Sequence, residues 1–265
     1  MNRCPLHGRR RRRGCPVLPE LLVPPPVAGG PGMRVAVVAE TFVPAVNGVV
    51  NSVLRRQGIG PVRLWGRGVD LEQFDPARRD PSFHVQHAPS GQLVVGVVAR
   101  LAVEKRLELL APVSELPGVQ LLVVGDGPQR RQLARLMPRA PFLGQLDGAD
   151  LGRVVASLDL FVHPGADETS CQAVQEALAA GVPAVVAASG GPLDPVRHAE
   201  NGWLWAGDDP RVLAAMVAGL RDDRPALRSA AARARASVEH RTRGSIGDQL
   251  IAHLRSVRAA AGLSG

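Results

Sequence analysis

Residues 93–124 read LVVGVVARLAVEKRLELLAPVSELPGVQLLVV, and this stretch decides the fold class. Two near-continuous apolar runs, Leu93–Val98 and Val119–Val124, enclose a segment of helical character at Lys105–Leu116. Uninterrupted runs rich in β-branched residues are typical of strands buried on both faces of a parallel sheet. The segment therefore predicts a β-α-β unit with parallel strands.

The same alternation continues to residue 205 and is followed by helical segments alone. It predicts an α/β fold with a Rossmann-like parallel sheet, large enough to bury a proper core. The further predicted strands are Pro141–Leu143, Leu160–His163, Ala184–Ala187 and Gly202–Trp205; the further predicted helices are Gln129–Leu136, Asp150–Leu158, Ser170–Ala180, Leu193–His198, Asp209–Arg221, Pro225–His240 and Ser245–Ala261.

A separate β-α unit precedes this series. Arg34–Ala39 is a β-branched run that predicts a buried strand, and Val49–Arg56 has helical character. The chain then passes through a connector at Gln57–Pro61 and a loop at Arg63–Pro76, without the further strands that a full domain needs. We therefore expect residues 33–56 to form an isolated β-α unit, because one strand and one helix cannot build a core.

Charge and composition exclude several classes of protein. The sequence pI is about 11.0, but the positive charge is unevenly distributed along the chain. Residues 1–32 contain six Arg and one Glu and so supply +5 of the formal net charge of +8. We expect residues 1–32 to be a disordered extension or the product of a start codon placed too early. The alternative is a basic arm that binds anionic lipid or nucleic acid. Aromatic residues are only 3% of the chain, so we expect no nucleic-acid partner.

The cysteines and the hydropathy pattern bear on location. Cys4, Cys15 and Cys171 have no metal-binding or redox spacing, which fits a reducing cytoplasm. No apolar run reaches the length of ~18 residues that a membrane span needs. His84 and His87 lie in a predicted polar loop with no third ligand evident, so we expect no metal site there.

Candidate ligand-binding residues follow the predicted strands, where ligands of open parallel sheets bind. Arg100 and Lys105 come after the strand at 93–98 and suit a diphosphate, or else are a solvated pair of loop cations. Glu168 and Glu176 flank a helix N-terminus, and eight steps of helical rise separate them by roughly 12 Å. That spacing matches the distance from a hexose to a ribose across the phosphates of a nucleotide sugar. The alternative is that one glutamate stabilises the N-terminus of the helix and the other is an ordinary surface residue.

Glycine-containing loops follow two other strands. Gly125-Asp126-Gly127 lacks the third glycine of a dinucleotide fingerprint, so a nicotinamide enzyme is disfavoured. Ser189-Gly190-Gly191-Pro192 allows close approach of a ligand to the backbone. His163 ends an apolar strand and is, by itself, more typical of a core histidine.

Taken in order, these stretches resemble the family-four retaining glycosyltransferases of the GT-B fold, and in particular actinobacterial GDP-mannose-dependent α-mannosyltransferases. The matching stretches are MRVAVVAETFVPAVNGVVNSVLR, RLWGRGVDLEQFDP, RLAVEKRLELL, VVGDGP, FLGQL, SLDLFVHPGADETSCQAVQEALAAGVPAVV, SGGPLD and NGWLW. The departures are Ala99 and Val103, where the family usually has glycine and proline, and Ser170, where it often has an aromatic residue.

The resemblance implies a role for each matched residue. Arg100 and Lys105 would hold the donor diphosphate. Glu168 would bind the sugar hydroxyls, and Glu176 would bind the ribose. The implied catalytic residues are Arg100, Lys105 and Glu168. Gly48 would approach the donor from the other domain. The implied donor-binding set is Gly48, Arg100, Lys105, Gly125, Leu143, Glu168, Thr169, Ser170, Cys171, Gln172 and Glu176, with no metal and no cofactor.

The resemblance also implies a domain order. Residues 1–32 are the tail, 33–60 a remnant of the acceptor-binding domain, 61–245 the donor-binding domain and 246–265 a C-terminal helix. Between Arg56 and Gln57 the family has most of its N-terminal domain, so the acceptor site is expected to be missing.

The implied activity is retaining transfer of a hexose, mannose from GDP-mannose, to a lipid or glycan acceptor, in the cytoplasm or at the inner face of the membrane. We expect transfer by this chain to be poor, and a non-catalytic nucleotide-sugar-binding remnant is the alternative.

Overall fold

The computed structural model describes residues 66–166 and 171–260. The expectations for the tail at 1–32, for the β-α unit at 33–56 and for Gly48 lie outside these residues. So do those for Glu168, Thr169 and Ser170. Within the described ranges, no helix is both long enough and apolar enough to cross a bilayer.

The described residues form a six-stranded sheet in the order β3-β2-β1-β4-β5-β6, with every neighbouring pair parallel. This confirms the α/β prediction, and five of the six predicted strands have the expected bounds. The third strand begins and ends one residue later than predicted. The strands are β1 Leu93–Val98, β2 Val119–Val124, β3 Phe142–Gly144, β4 Leu160–His163, β5 Ala184–Ala187 and β6 Gly202–Trp205.

Helices connect the strands on both faces of the sheet. They are α1 Pro81–His87, α2 Ala111–Ser114, α3 Arg130–Leu136, α4 Gly148–Ala156, α5 Gln172–Ala179, α6 Pro210–Asp222, α7 Arg224–Ala234 and α8 Arg243–Ala260. Short 3-10 turns occur at Pro76–Arg78, Val103–Lys105, Leu107–Leu110, Gly191–Leu193 and Arg235–Ser237.

The helix expected at Pro225–His240 ends at Ala234 and is followed only by the turn Arg235–Ser237. Three other predicted segments also differ in the structure. The single helix expected at Lys105–Leu116 is broken into two 3-10 turns and α2, because Arg106 adopts a left-handed conformation with φ 53°. The helix expected at Leu193–His198 is only the turn Gly191–Leu193, which ends at Asp194.

The third difference concerns the two histidines expected in a loop, which lie in α1. Asp80 caps this helix by accepting a hydrogen bond from the Ser82 amide, and Pro81 occupies the first turn.

The core consists of two apolar layers, one on each face of the sheet. Alternate residues of β1 point to opposite layers: Val94 contacts one, and Val95 and Val97 contact the other. Helices α4 and α5 cover the first layer, whereas α3 and α6 cover the second. Gly96 leaves room for Leu158, because a Cβ atom at that position would lie 2.3 Å from a methyl group of Leu158 and would force this buried side chain to shift.

Candidate functional site

The predicted site residues that the structure describes lie along one edge of the sheet. In a parallel sheet the carboxyl ends of all strands meet at the same edge, which is where ligands bind in open α/β folds. The order β3-β2-β1-β4 places Leu143, Gly125, Arg100 and the start of α5 next to one another along it. Topology therefore gathers residues that are up to about 75 positions apart in the sequence.

Backbone contacts fix the loops after β1 and β2 to each other. The Ala99 amide donates to the Val124 carbonyl at 3.1 Å, and the Leu101 amide donates to the Asp126 carbonyl at 2.9 Å. Gly125 has φ +124°, and a Cβ atom there would lie 2.0 Å from the Ala99 carbonyl oxygen. Because only glycine fits, the loop that carries Arg100 rests directly on the loop after β2.

The two predicted cations occupy this loop. Arg100 is exposed directly after β1, and Lys105 is half-buried at the end of the turn Val103–Lys105. The neighbouring Arg106 forms an ion pair with Asp208, with 2.6 Å between guanidinium nitrogen and carboxylate oxygen. The pairing of Arg106 could not be found from the sequence, because Asp208 lies about 100 positions away.

Helix α5 begins next to this loop, after β4. Cys171 is the residue before the helix; it is buried and has φ 45°, a left-handed conformation that is uncommon outside glycine. Its carbonyl accepts the Val174 amide at 3.0 Å and the Gln175 amide at 3.3 Å. Amides in the first turn of a helix have no partner within the helix, so this end of α5 suits an anion.

Gln172 connects the start of α5 to Glu176. Its Nε2 donates to the Gly68 carbonyl and to Glu176 Oε1, each at 3.2 Å, while its Oε1 is buried without a hydrogen-bond partner among the residues that the structure describes. Burial raises the pKa of Glu176, and this is opposed by the Gln172 hydrogen bond and by the charges of Arg243 and Arg67. The half-buried carboxylate keeps acceptor capacity for hydroxyl donors.

Three residues near Glu176 were not predicted from the sequence: Arg67, Gly68 and Arg243. A Cβ atom on Gly68 would lie 2.5 Å from the backbone of Arg243, so the two segments are in direct backbone contact. The Val69 amide reinforces this contact by donating to the Arg241 carbonyl at 2.8 Å. No local spacing signals these residues, since they reach α5 from about 100 positions before it and about 70 after it.

The loop after β5 also contacts the site edge. Ser189 Oγ donates to the Ala166 carbonyl at 3.2 Å and so ties this loop to the one after β4. Gly190 has φ 64° with ψ −148°, a conformation that is accessible essentially only to glycine. His163, at the end of β4, is 3% exposed and lies in the interior, as its apolar strand predicted.

Comparison with known families identifies the domain. The profile described as "Glycosyl transferases group 1" matches residues 79–237, which is more than half of the chain. The chain belongs to this family. The parallel sheet at residues 93–205 is thus the α/β domain of a GT-B-type glycosyltransferase, as the sequence motifs predicted.

Curated relatives agree with this assignment. The chain is 47% identical over 152 residues to a GDP-mannose-dependent alpha-mannosyltransferase of Corynebacterium glutamicum, covering 57% of this chain and 37% of the relative. It is 41% identical over 227 residues to the enzyme of the same name from Mycolicibacterium smegmatis, covering 83% and 59%. The chain therefore spans about half the length of these relatives.

Solved structures show the same fold. A sucrose-phosphate synthase from Thermosynechococcus elongatus matches with TM-score 0.70 and 25% identity, covering 82% of this chain and 58% of that one. Anabaena Alr3699/HepE, solved in complex with UDP and glucose, matches with TM-score 0.68 and 24% identity, covering 80% and 62%.

Proposed function

We propose that this domain binds GDP-mannose at the carboxyl edge of its sheet and is the donor half of a retaining mannosyltransferase with a lipid or glycan acceptor. The names of the relatives at 41% and 47% identity support this donor and this sugar. The family resemblance supports a lipid or glycan acceptor and a location of the activity at the inner face of the membrane. We further propose that transfer needs no metal ion.

One observation carries the proposal: two cations and a half-buried carboxylate follow adjacent strands at the same edge. Arg100 and Lys105 follow β1, and Glu176 lies on α5 after the neighbouring strand β4. A nucleoside diphosphate has the complementary pattern, with negative phosphate oxygens next to ribose hydroxyls. Arginine can bind two of these oxygens at once, and lysine contributes a point charge.

The proposed chemistry places these residues in defined roles. As the glycosidic bond to the diphosphate breaks, negative charge accumulates on the leaving phosphate oxygens, and Arg100 and Lys105 stabilise it. Donors that are already in place at a developing charge commonly contribute 10²–10³ in rate. Glu176 would accept hydrogen bonds from the ribose, and Gln172 would hold its carboxylate in position through the 3.2 Å hydrogen bond. Glu168 is assigned to the sugar hydroxyls by the resemblance alone.

A second candidate is binding of the nucleotide sugar without transfer. The observation that favours it is internal to the sequence: at Arg56–Gln57 the chain passes directly from VLRR to QGIGPVRLW, where the resemblance implies most of an acceptor-binding domain. Placement of the acceptor oxygen next to the anomeric carbon can supply roughly 7–11 kcal/mol of the barrier. Without that placement, slow hydrolysis of the donor is the expected residual activity.

Calorimetric titration tests the proposal. GDP-mannose and GDP should both bind in the presence of EDTA, with UDP-glucose weaker than GDP-mannose. A requirement for divalent metal would contradict the metal-free proposal, and a preference for UDP-glucose would contradict the donor assignment. Transfer of labelled mannose to a lipid extract then separates the two candidates, because a binding remnant retains the titration and gives no labelled lipid.

A further inference from the structure

A basic cavity lies at the amino edge of the sheet, opposite the proposed donor site. Its volume is about 270 Å³, and it is lined by Arg79, Leu158, Asp159, Gly181, Pro183, Arg224, Leu227, Arg228 and Ala231. Asp159 directly precedes β4 and Pro183 directly precedes β5, so the cavity lies at the end of the sheet away from Arg100 and Glu176. It is therefore separate from the proposed donor site.

Helix α7 supplies one wall with the spacing of a single helix face. Residues 224, 227, 228 and 231 follow the i, i+3, i+4, i+7 pattern, and all four line the cavity. Two of them are arginines one turn apart. Like charges at this spacing are neighbours on the helix surface and destabilise it, so the arrangement gains stability when an anion lies between them.

The single carboxylate of the cavity is already engaged by other groups. Asp159 accepts hydrogen bonds from the Val94 amide at 3.0 Å, from Arg79 at 2.8 Å and from His84 at 3.1 Å. Burial alone would raise its pKa, but these hydrogen bonds hold the pKa of Asp159 below its usual range. The carboxylate is therefore ionised and fully used at neutral pH, and it offsets one of the three arginines.

The arginines differ in how far they are engaged. Arg79 donates to the Leu158 carbonyl at 3.0 Å as well as to Asp159. Arg224 has only a 3.4 Å contact with the Gly91 carbonyl and a loose 3.9 Å ion pair with Asp159. Arg228 is exposed and makes no hydrogen bond or ion pair within residues 66–166 and 171–260. Two guanidinium groups on one helix face are thus available to a ligand.

We propose that this cavity binds a small phosphate-bearing anion, either inorganic phosphate or a phosphomonoester, between the guanidinium groups of Arg224 and Arg228. Guanidinium forks match the oxygen geometry of phosphate. The volume of about 270 Å³ is sufficient for a phosphate group. The other walls include the apolar side chains Leu158, Pro183 and Leu227, which offer no competing hydrogen-bond acceptor.

Titration of the full chain with sodium phosphate, followed by calorimetry, tests the proposal. Arg228→Gln and Arg224→Gln should each weaken phosphate binding about tenfold or more, because each removes a charged hydrogen-bond donor. Arg255→Gln is the matched control, since Arg255 is an exposed arginine on α8 that does not line the cavity. Arg228 is also exposed, and its replacement removes the like-charge neighbour of Arg224, so Arg228→Gln should melt at or slightly above the temperature of the wild type in the absence of phosphate.

A variant at the other edge separates this proposal from the donor site. Arg100→Gln should leave phosphate binding at the amino edge unchanged, whether or not it weakens GDP. Titration with glycerol phosphate distinguishes the two sources: tighter binding than inorganic phosphate indicates an esterified ligand, and equal binding indicates free phosphate.

Three results would overturn the proposal. The first is that the Kd of the wild type for phosphate is about 10 mM or higher. The second is that binding is lost in Arg100→Gln and kept in Arg228→Gln. The third is that chloride competes as well as phosphate does, which would show charge screening alone.

Discussion

Replacement of Gly125 by alanine should destabilise the fold and weaken the donor site together. The new Cβ atom would lie 2.0 Å from the Ala99 carbonyl oxygen, and the residue would have to keep φ +124°. An unfavourable backbone conformation costs on the order of 1–3 kcal/mol, and an overpacked contact typically costs a further ~1–3 kcal/mol. The free energy of unfolding should therefore fall by about 2–6 kcal/mol.

Gly207 provides the matched control for this prediction. It also has a positive φ, +110°, but a Cβ atom there would have no heavy atom within 4 Å. Gly207→Ala should therefore cost only the backbone component, on the order of 1–3 kcal/mol. The difference between the two variants measures the contact between the loops after β1 and β2.

Urea unfolding followed by circular dichroism gives both free energies, and calorimetry gives the affinity for GDP. Because Gly125 supports the loop that carries Arg100, Gly125→Ala should weaken GDP binding, whereas Gly207→Ala should not. If both variants lose equal stability, and GDP affinity is the same in both, then the two loops do not pack as described and the reasoning fails.

Three further predictions concern charged groups. Arg100→Ala and Lys105→Ala should each weaken binding of GDP about tenfold to a hundredfold, because each removes a charged hydrogen-bond donor; calorimetry measures both. Glu168→Gln should weaken GDP-mannose far more than GDP, whereas Glu176→Gln should weaken both about equally, so parallel titrations separate the hexose contact from the ribose contact. Asp159→Asn should lower the free energy of unfolding at pH 7 by about 2–3 kcal/mol, and the difference from the wild type should shrink in acid.

The acid dependence follows from the lowered pKa of Asp159. A carboxyl group with a lowered pKa in the folded state stabilises the protein above its usual pKa, and this contribution is lost as pH falls through the folded-state value. Urea unfolding at a series of pH values gives the profile. Asp150→Asn is the control, since Asp150 is 73% exposed and loosely paired, and it should change stability by less than ~0.5 kcal/mol. A constant difference between Asp159→Asn and the wild type from neutral to strongly acid pH would contradict the argument.

The sheet could be predicted because its strands are unbroken apolar runs. Buried parallel strands such as Leu93–Val98 and Ala184–Ala187 need no polar residues, so their bounds are visible in the sequence. The segment after β1 could not be predicted in the same way. Its composition is helical, but the left-handed Arg106 breaks it, and no local pattern signals that conformation or the ion pair of Arg106 with Asp208.

The candidate site was predictable only in part, for a related reason. Residues that follow strands, such as Arg100 and Glu176, can be assigned to the carboxyl edge from topology alone. Residues that reach the site from distant segments cannot, as Arg67 and Arg243 show through their effect on the pKa of Glu176. The cavity beside Arg228 was likewise not predictable, because α7 and the start of β4 are about 65 positions apart.

The most direct test of the central claim is to map GDP binding by amide chemical shifts in the presence of EDTA. The account predicts that perturbed amides cluster at the carboxyl edge, in residues 99–106, 125–129 and 171–176, at GDP concentrations that leave the amides of Asp159 and Arg228 unchanged. Perturbations confined to the amino edge, or their absence at millimolar GDP, would contradict the assignment of this edge as the nucleotide-sugar site.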